Sequence, residues 1–260
     1  MIVFFLICLF ATALGSISGI GGGVIIKPVF DAVSGLSVTT VSFLSGCTVL
    51  AMSITSLLHS HKEQSKFGGK SSTALAIGAA IGGIVGKVVF DGVKSASGND
   101  RLLGILQSSF MILLTVGVIL YVFNKKHIVP FQISNLIACL SVGAVLGVTS
   151  AFLGIGGGPI NLAVLYFFFS MDTKQAALNS IYIILFSQSA NLIFTVISGS
   201  VPEFETAVLL VMIFGGIVGG LCGRMLNKKM SNRQVDRLFL GMLVAITVVS
   251  VFNLYKYITL

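Results

Sequence analysis

Two glycine runs carry the chemistry that this sequence could perform. Ser18-Gly19-Ile20-Gly21-Gly22-Gly23 and Gly154-Ile155-Gly156-Gly157-Gly158 each sit between a long apolar segment and a short one, 24–34 and 159–169. Three consecutive glycines disfavour a helix, at about 1 kcal/mol per position relative to alanine. In hydrocarbon a broken helix leaves amides unsatisfied, each costing several kcal/mol. Such a break is tolerated only where protein, water or a ligand satisfies those groups. Glycine also lets a ligand approach the backbone closely. The short segment after each break offers a helix N-terminus, with N–H groups and a positive dipole end. Two such ends facing one another would hold an anion without any charged side chain. Gly21, Gly22, Gly23, Gly156, Gly157 and Gly158 are therefore the first candidates for substrate binding. Gly82, Gly83 and Gly86, like Gly215, Gly216 and Gly219, are read instead as sites of close helix packing.

Polar residues in apolar segments extend the candidate set. Asn161 lies two residues past Pro159, at the start of the second short segment. Asn179, Ser180, Ser187, Gln188 and Asn191 fall in segment 176–198, and Ser45 in segment 38–58. Asn179, Ser187 and Asn191 recur at spacings of 8 and 4, which puts them on one helical face. Uncharged donors on one face suit an oxyanion in a desolvated site; ordinary interhelical hydrogen bonding is the competing reading. Lys27 follows the first glycine run and either neutralises an anion or snorkels. Lys87 reads as a snorkelling residue near a segment end. Asp31 is a proton carrier or an interfacial neighbour of Lys27, and His59 and His61 border a basic loop. No HExxH, GxSxG, Walker A lysine motif or paired intramembrane carboxylates occur, so an enzyme is not expected. The cysteines Cys8, Cys47, Cys139 and Cys222 show no metal-ligand spacing and read as small buried hydrophobes. No cofactor or metal is expected.

The elements that must position these residues are membrane helices. Hydrophobic residues make up 55% of the 260 and charged residues only 9%, with a mean hydropathy of +1.05. Soluble domains carry roughly 25% charge. The net charge of +8 comes from Lys and Arg placed between apolar segments, where they act as topology signals and not as a nucleic-acid footprint. Apolar segments run at 2–18, 24–34, 38–58, 71–90, 102–123, 133–153, 159–169, 176–198, 206–226 and 238–255. Eight are long enough to span a bilayer, which needs about 20 residues. The N-terminus lacks a basic n-region and reads as the first membrane segment.

The segments repeat. Gly19–Gly23 matches Gly154–Gly158 at an offset of 135, and Ser45 matches Ser180 at the same offset. Gly82–Gly86 matches Gly215–Gly219 at 133, and Asp100-Arg101-Leu102 matches Asp236-Arg237-Leu238 at 136. This divides the chain into a first membrane repeat, 1–124, a short connection, 125–132, and a second repeat, 133–260. Each repeat holds a glycine-broken pair of helices and three long transmembrane helices. If each broken pair is a re-entrant hairpin, the repeats are inverted and 11 of 16 basic residues fall on one side. If each pair is a single broken crossing, the repeats are parallel and the count is 10. Paired discontinuous helices favour the inverted arrangement. Both arrangements put the two termini outside the cytoplasm.

GSISGIGGGVIIKPVF and SAFLGIGGGPINLAVLYF resemble the paired glycine signature of the TauE/SafE family of sulfite exporters, over essentially the whole chain. The resemblance implies a multi-pass plasma-membrane carrier for sulfur-containing anions such as sulfite, thiosulfate or sulfoacetate, working by a secondary mechanism coupled to the proton gradient. It carries the binding role to the glycines at 21–23 and 156–158. The chain departs from the pattern where Pro159 directly follows the second run and where Gly46-Cys47-Thr48 and Asn179-Ser180 replace a threonine-serine pair. The implied partners are a small anion and the lipid bilayer; the sequence is compatible with a homodimer. An anion channel and a non-catalytic membrane scaffold remain as alternative readings.

Overall fold

A computed structural model describes residues 1–60, 69–98, 100–125 and 130–259. They form ten α-helices and, among the described residues, no strand. In chain order these are α1 (Ile2–Ser18), α2 (Gly23–Val33), α3 (Val38–Leu58), α4 (Lys70–Ser97), α5 (Asp100–Asn124), α6 (Leu136–Leu153), α7 (Pro159–Phe169), α8 (Thr173–Ile197), α9 (Thr206–Lys229) and α10 (Asn232–Thr259). Every apolar segment of the sequence is a helix. Seven helices are long and apolar enough to cross a membrane, not eight, because α1 has 17 residues before Gly19 turns the chain into the left-handed region at φ 82°. Large apolar side chains such as Leu113, Ile137, Ile197 and Phe214 are more than half exposed on the outer surface, as lipid contact requires.

Small residues set the packing. A Cβ on Gly82 would collide with the carbonyl of Ala144, and one on Gly86 with that of Val148, so α4 and α6 touch backbone to backbone. Gly215, Gly219 and Gly223 bring α9 against Phe5, Leu9 and Ala13 of α1 in the same way. In both pairs the contacts advance together along the two chains, so the paired helices run parallel. Gly216 and Gly220 meet Thr48 and Met52, making α9 parallel to α3. Ser72 bonds Asn179 and Gly83 abuts Ser187, making α8 parallel to α4. By contrast α3 and α8 run antiparallel, with Thr40 reaching the Glu203 carbonyl beyond the end of α8 while Gly46 lies beside Gln188. α5 and α10 are also antiparallel: Arg101 bonds the Tyr257 carbonyl, Thr247 bonds Thr115, and Lys125 pairs with Asp236.

Each glycine run is a tight hairpin. Gly22 packs on Thr12, and the Phe4 and Phe30 rings lie 5.0 Å apart, so α2 folds back along α1. Phe131 and Ile133, ahead of α6, donate to the carbonyls of Phe167 and Phe168 at the end of α7, so α7 folds back along α6. The neighbours are preserved when the first five helices are exchanged for the last five: α1 packs on α9 as α6 packs on α4, and α2 on α10 as α7 on α5. The expected connection at 125–132 lies partly outside the described residues, as do His61, Lys62 and Lys66.

Candidate functional site

The two glycine runs meet at the centre of the molecule. A Cβ on Gly23 would strike the carbonyl of Ile155, and one on Gly158 would come within 3.7 Å of Val24. Gly21 and Gly157 both face Ile184, near the middle of α8. Gly21, Gly23 and Gly156 face Val49, near the middle of α3. Positive φ at Gly21 (80°) and Gly156 (75°) explains why glycine occupies these turns, since a left-handed L-residue costs roughly 1–2 kcal/mol.

Two helices begin at this meeting point. Gly22 caps α2 and Gly158 caps α7, both buried and neither with a side-chain hydrogen bond. α1, α4 and α9 also start without a side-chain cap, but their cap residues Met1, Gly69 and Glu205 are exposed. α3, α6 and α8 start with Ser37, Asn135 and Asp172, whose side chains accept from Thr40, Ile137 and Gln175 amides. Buried helix starts without caps retain N–H groups and positive dipole ends that call for a partner.

Buried polar side chains on α3, α7 and α8 also lack partners. Gln188 is buried against Gly46 and Gly156, and its Nε2 has no acceptor. Asn161 is buried beside Gly157, and its Oδ1 has no donor. The Oγ atoms of Ser45 and Ser180, the repeat-related pair, are also buried without partners. Buried polar atoms lacking partners are uncommon and mark places where a water or ligand belongs.

The expected polar face of α8 divides. Asn179, Ser187 and Asn191 do share a face, but it looks onto α4: Asn179 accepts from Ser72 at 2.7 Å, Ser187 lies against Gly83, and Asn191 shares a pocket with Lys87. The neighbouring face, with Ile184 and Gln188, looks onto the glycine runs. Val49 and Ile184 line the centre and were not singled out from sequence. Apolar residues at mid-helix carry no local signal of that role.

Lys27 points elsewhere. Its ammonium donates to Asp31 at 2.7 Å, with side chains 3% and 7% exposed. The pair faces a small pocket lined by Gln107 and Ser108 of α5 and Ser250 and Asn253 of α10. Lys256 closes over it, bonding the carbonyls of Asp31 and Ala32. Lys87 does not snorkel: it is 6% exposed and donates to Asp91 at 2.6 Å. Among the cysteines, Cys8 and Cys139 are buried as expected, whereas Cys47 is half-buried and Cys222 is exposed on the outer face of α9.

Comparison with known proteins agrees with this architecture. The family model described as sulfite exporter TauE/SafE matches residues 4–250. A probable membrane transporter protein of Bacillus subtilis (strain 168), YunE, is 25% identical over 249 residues, covering 87% of this chain and 88% of that protein. No solved structure matches the chain. With ten helices at the expected apolar segments and a family match over nearly all of them, the chain belongs to the TauE/SafE family of membrane transporters.

Proposed function

We propose that this protein is a secondary transporter moving a small sulfur oxyanion or organosulfonate, such as sulfite, thiosulfate or sulfoacetate, across the plasma membrane by alternating access. The observation that carries the reading is the meeting of two buried, uncapped helix N-termini beside Gln188, a donor without an acceptor. Discontinuous helices with their positive ends at the centre are the usual construction for anion binding in transporters. Gly21, Gly22, Gly23, Gly156, Gly157 and Gly158 supply backbone; Gln188 supplies a side-chain donor; Asn161, Ser45 and Ser180 complete the wall. Asn179, Ser187 and Lys27 act at a distance, through packing of α4 on α8 and of α2 on α5 and α10.

The packing supports alternating access. α1, α3 and α9 run one way while their repeat mates α6, α8 and α4 run the other. This supports two inverted repeats, each making three net crossings with a re-entrant hairpin. Rocking one repeat against the other around a fixed site then exposes it to either side. The end with Lys125, Lys174, Arg224 and Lys228 is assigned to the cytoplasm, and both termini to the opposite side.

The test is counterflow in proteoliposomes with labelled sulfite, thiosulfate and sulfoacetate, with sulfate and chloride as comparisons. The reading predicts saturable flux of a sulfur anion. Flux that rises linearly with concentration would favour a channel, and no flux of any sulfur anion would remove the substrate assignment.

A further inference from the structure

A small, half-open pocket of about 30 Å³ lies between α3, α4, α6 and α8 at the end of the molecule where Glu203 and the termini lie. Its lining includes Lys87, Asn191, Thr39, Ser42 and Thr195, and Gly154 of the second glycine run forms part of the wall. The Lys87 ammonium has three N–H donors. One goes to Asp91, whose side chain is 31% exposed; among the described residues the others meet no hydrogen-bond acceptor, and the ammonium lies 5.1 Å from the Phe90 ring centroid. Asn191 lines the same pocket, and its amide NH₂ group is a hydrogen-bond donor. A nearly buried ammonium and an amide donor thus share one pocket, with Gly154 of the glycine break in its wall.

The repeat-related place at the opposite end is built differently. Lys87 corresponds to Gly220, Ser42 to Ala177 and Gly154 to Gly19, at offsets of 133, 135 and 135. There Gly19 packs directly on Ala177, and Ser16 bonds both Ser56 and the Gly220 carbonyl at 3.0 Å. Protein fills the space, and glycine stands where the other end has its lysine.

We propose that this pocket is a second anion site, a vestibule in which Lys87 and Asn191 hold a small oxyanion or sulfonate before it passes Gly154 to the centre. Asp91 keeps the ammonium in place when the pocket is empty and yields it to the arriving anion. The proposal deepens the transporter reading and rests on it for the path beyond Gly154. The anion site itself is testable apart from transport.

The experiment places a cysteine at Thr195, in a background with Cys47 and Cys222 replaced by serine, and compares two thiol reagents on the purified full-length protein. One is the anionic sulfonatoethyl methanethiosulfonate; the other is its cationic trimethylammonium analogue. The expected result is faster reaction with the anionic reagent, a preference that falls by roughly tenfold in Lys87→Gln, as removal of one nearby charge predicts. The preference persists in Lys87→Arg and in Asp91→Asn, which separates lost charge from lost folding, and millimolar sulfite slows the anionic reagent. An unchanged preference in Lys87→Gln, or no reaction at Thr195→Cys with either reagent, would overturn the vestibule. Absence of sulfite counterflow with the preference intact would instead count against the transported substrate and leave the anion site standing.

Discussion

Lys27 and Asp31 form an ion pair inside the protein, four residues apart on one face of α2. Removing one partner of a buried pair typically costs about 3–5 kcal/mol, because a charge is left uncompensated. Lys27→Met should lose that amount in denaturant unfolding in detergent, and Lys27→Met with Asp31→Leu should recover most of it. Equal losses in the single and double variants would mean that the pair does not act as a unit. Gly23 illustrates a different constraint: its missing Cβ is what lets the two glycine runs touch at Ile155. Gly23→Ala should separate the runs and abolish flux, even where circular dichroism shows the helices intact. The runs and the Lys27–Asp31 spacing are local features, so both were legible in the sequence. Gln107 and Asn253, which join the pair from α5 and α10, were not, because only folding brings them together.

Helices whose backbones touch depend on glycine in proportion to the contact. Gly82, packed against the Ala144 carbonyl, and Gly92, with nothing near its missing Cβ, occupy the same helix, α4. Gly82→Val should force α4 and α6 apart and prevent a stable fold, read as loss of the monodisperse peak in size-exclusion chromatography. Gly92→Ala should be neutral or stabilise by about 1 kcal/mol through helix propensity. Equal behaviour of the two would contradict the packing. Ten helices were legible as apolar segments, with their order and break points. Their ends were less so. α4 runs to Ser97 and α10 starts at Asn232, beyond the expected 71–90 and 238–255, because Asp91, Lys94, Arg233 and Asp236 lower hydropathy without breaking the helix. The face of α8 was legible as a face, but periodicity does not say which neighbour it meets, and α4 took it.

At the scale of the molecule, the packing of the helices gathers the charges at two ends. One end brings together Lys125, Asp236, Thr173, Lys174 and Lys228 through mutual contacts. The other holds Lys94, Arg101, Glu203 and both termini. If the first end is cytoplasmic, a cysteine introduced at Thr259, with Cys47 and Cys222 replaced by serine, should react with a membrane-impermeant maleimide on intact cells. Labelling only after permeabilisation would reverse the orientation. The repeat was legible because its anchors are glycines and an Asp-Arg-Leu triplet at nearly constant offset. Basic-residue counts of 11 and 10 separate inverted from parallel halves too weakly, and the inverted arrangement is proposed from the directions of the packed helices. The central claim is that a sulfur oxyanion is held where the glycine runs meet, and Gln188 tests it most directly. Labelled sulfite counterflow should be saturable in the wild-type protein and fall at least about tenfold in Gln188→Leu with unfolding stability retained. Wild-type rates in a folded Gln188→Leu would place the anion somewhere other than the meeting of the two helix ends.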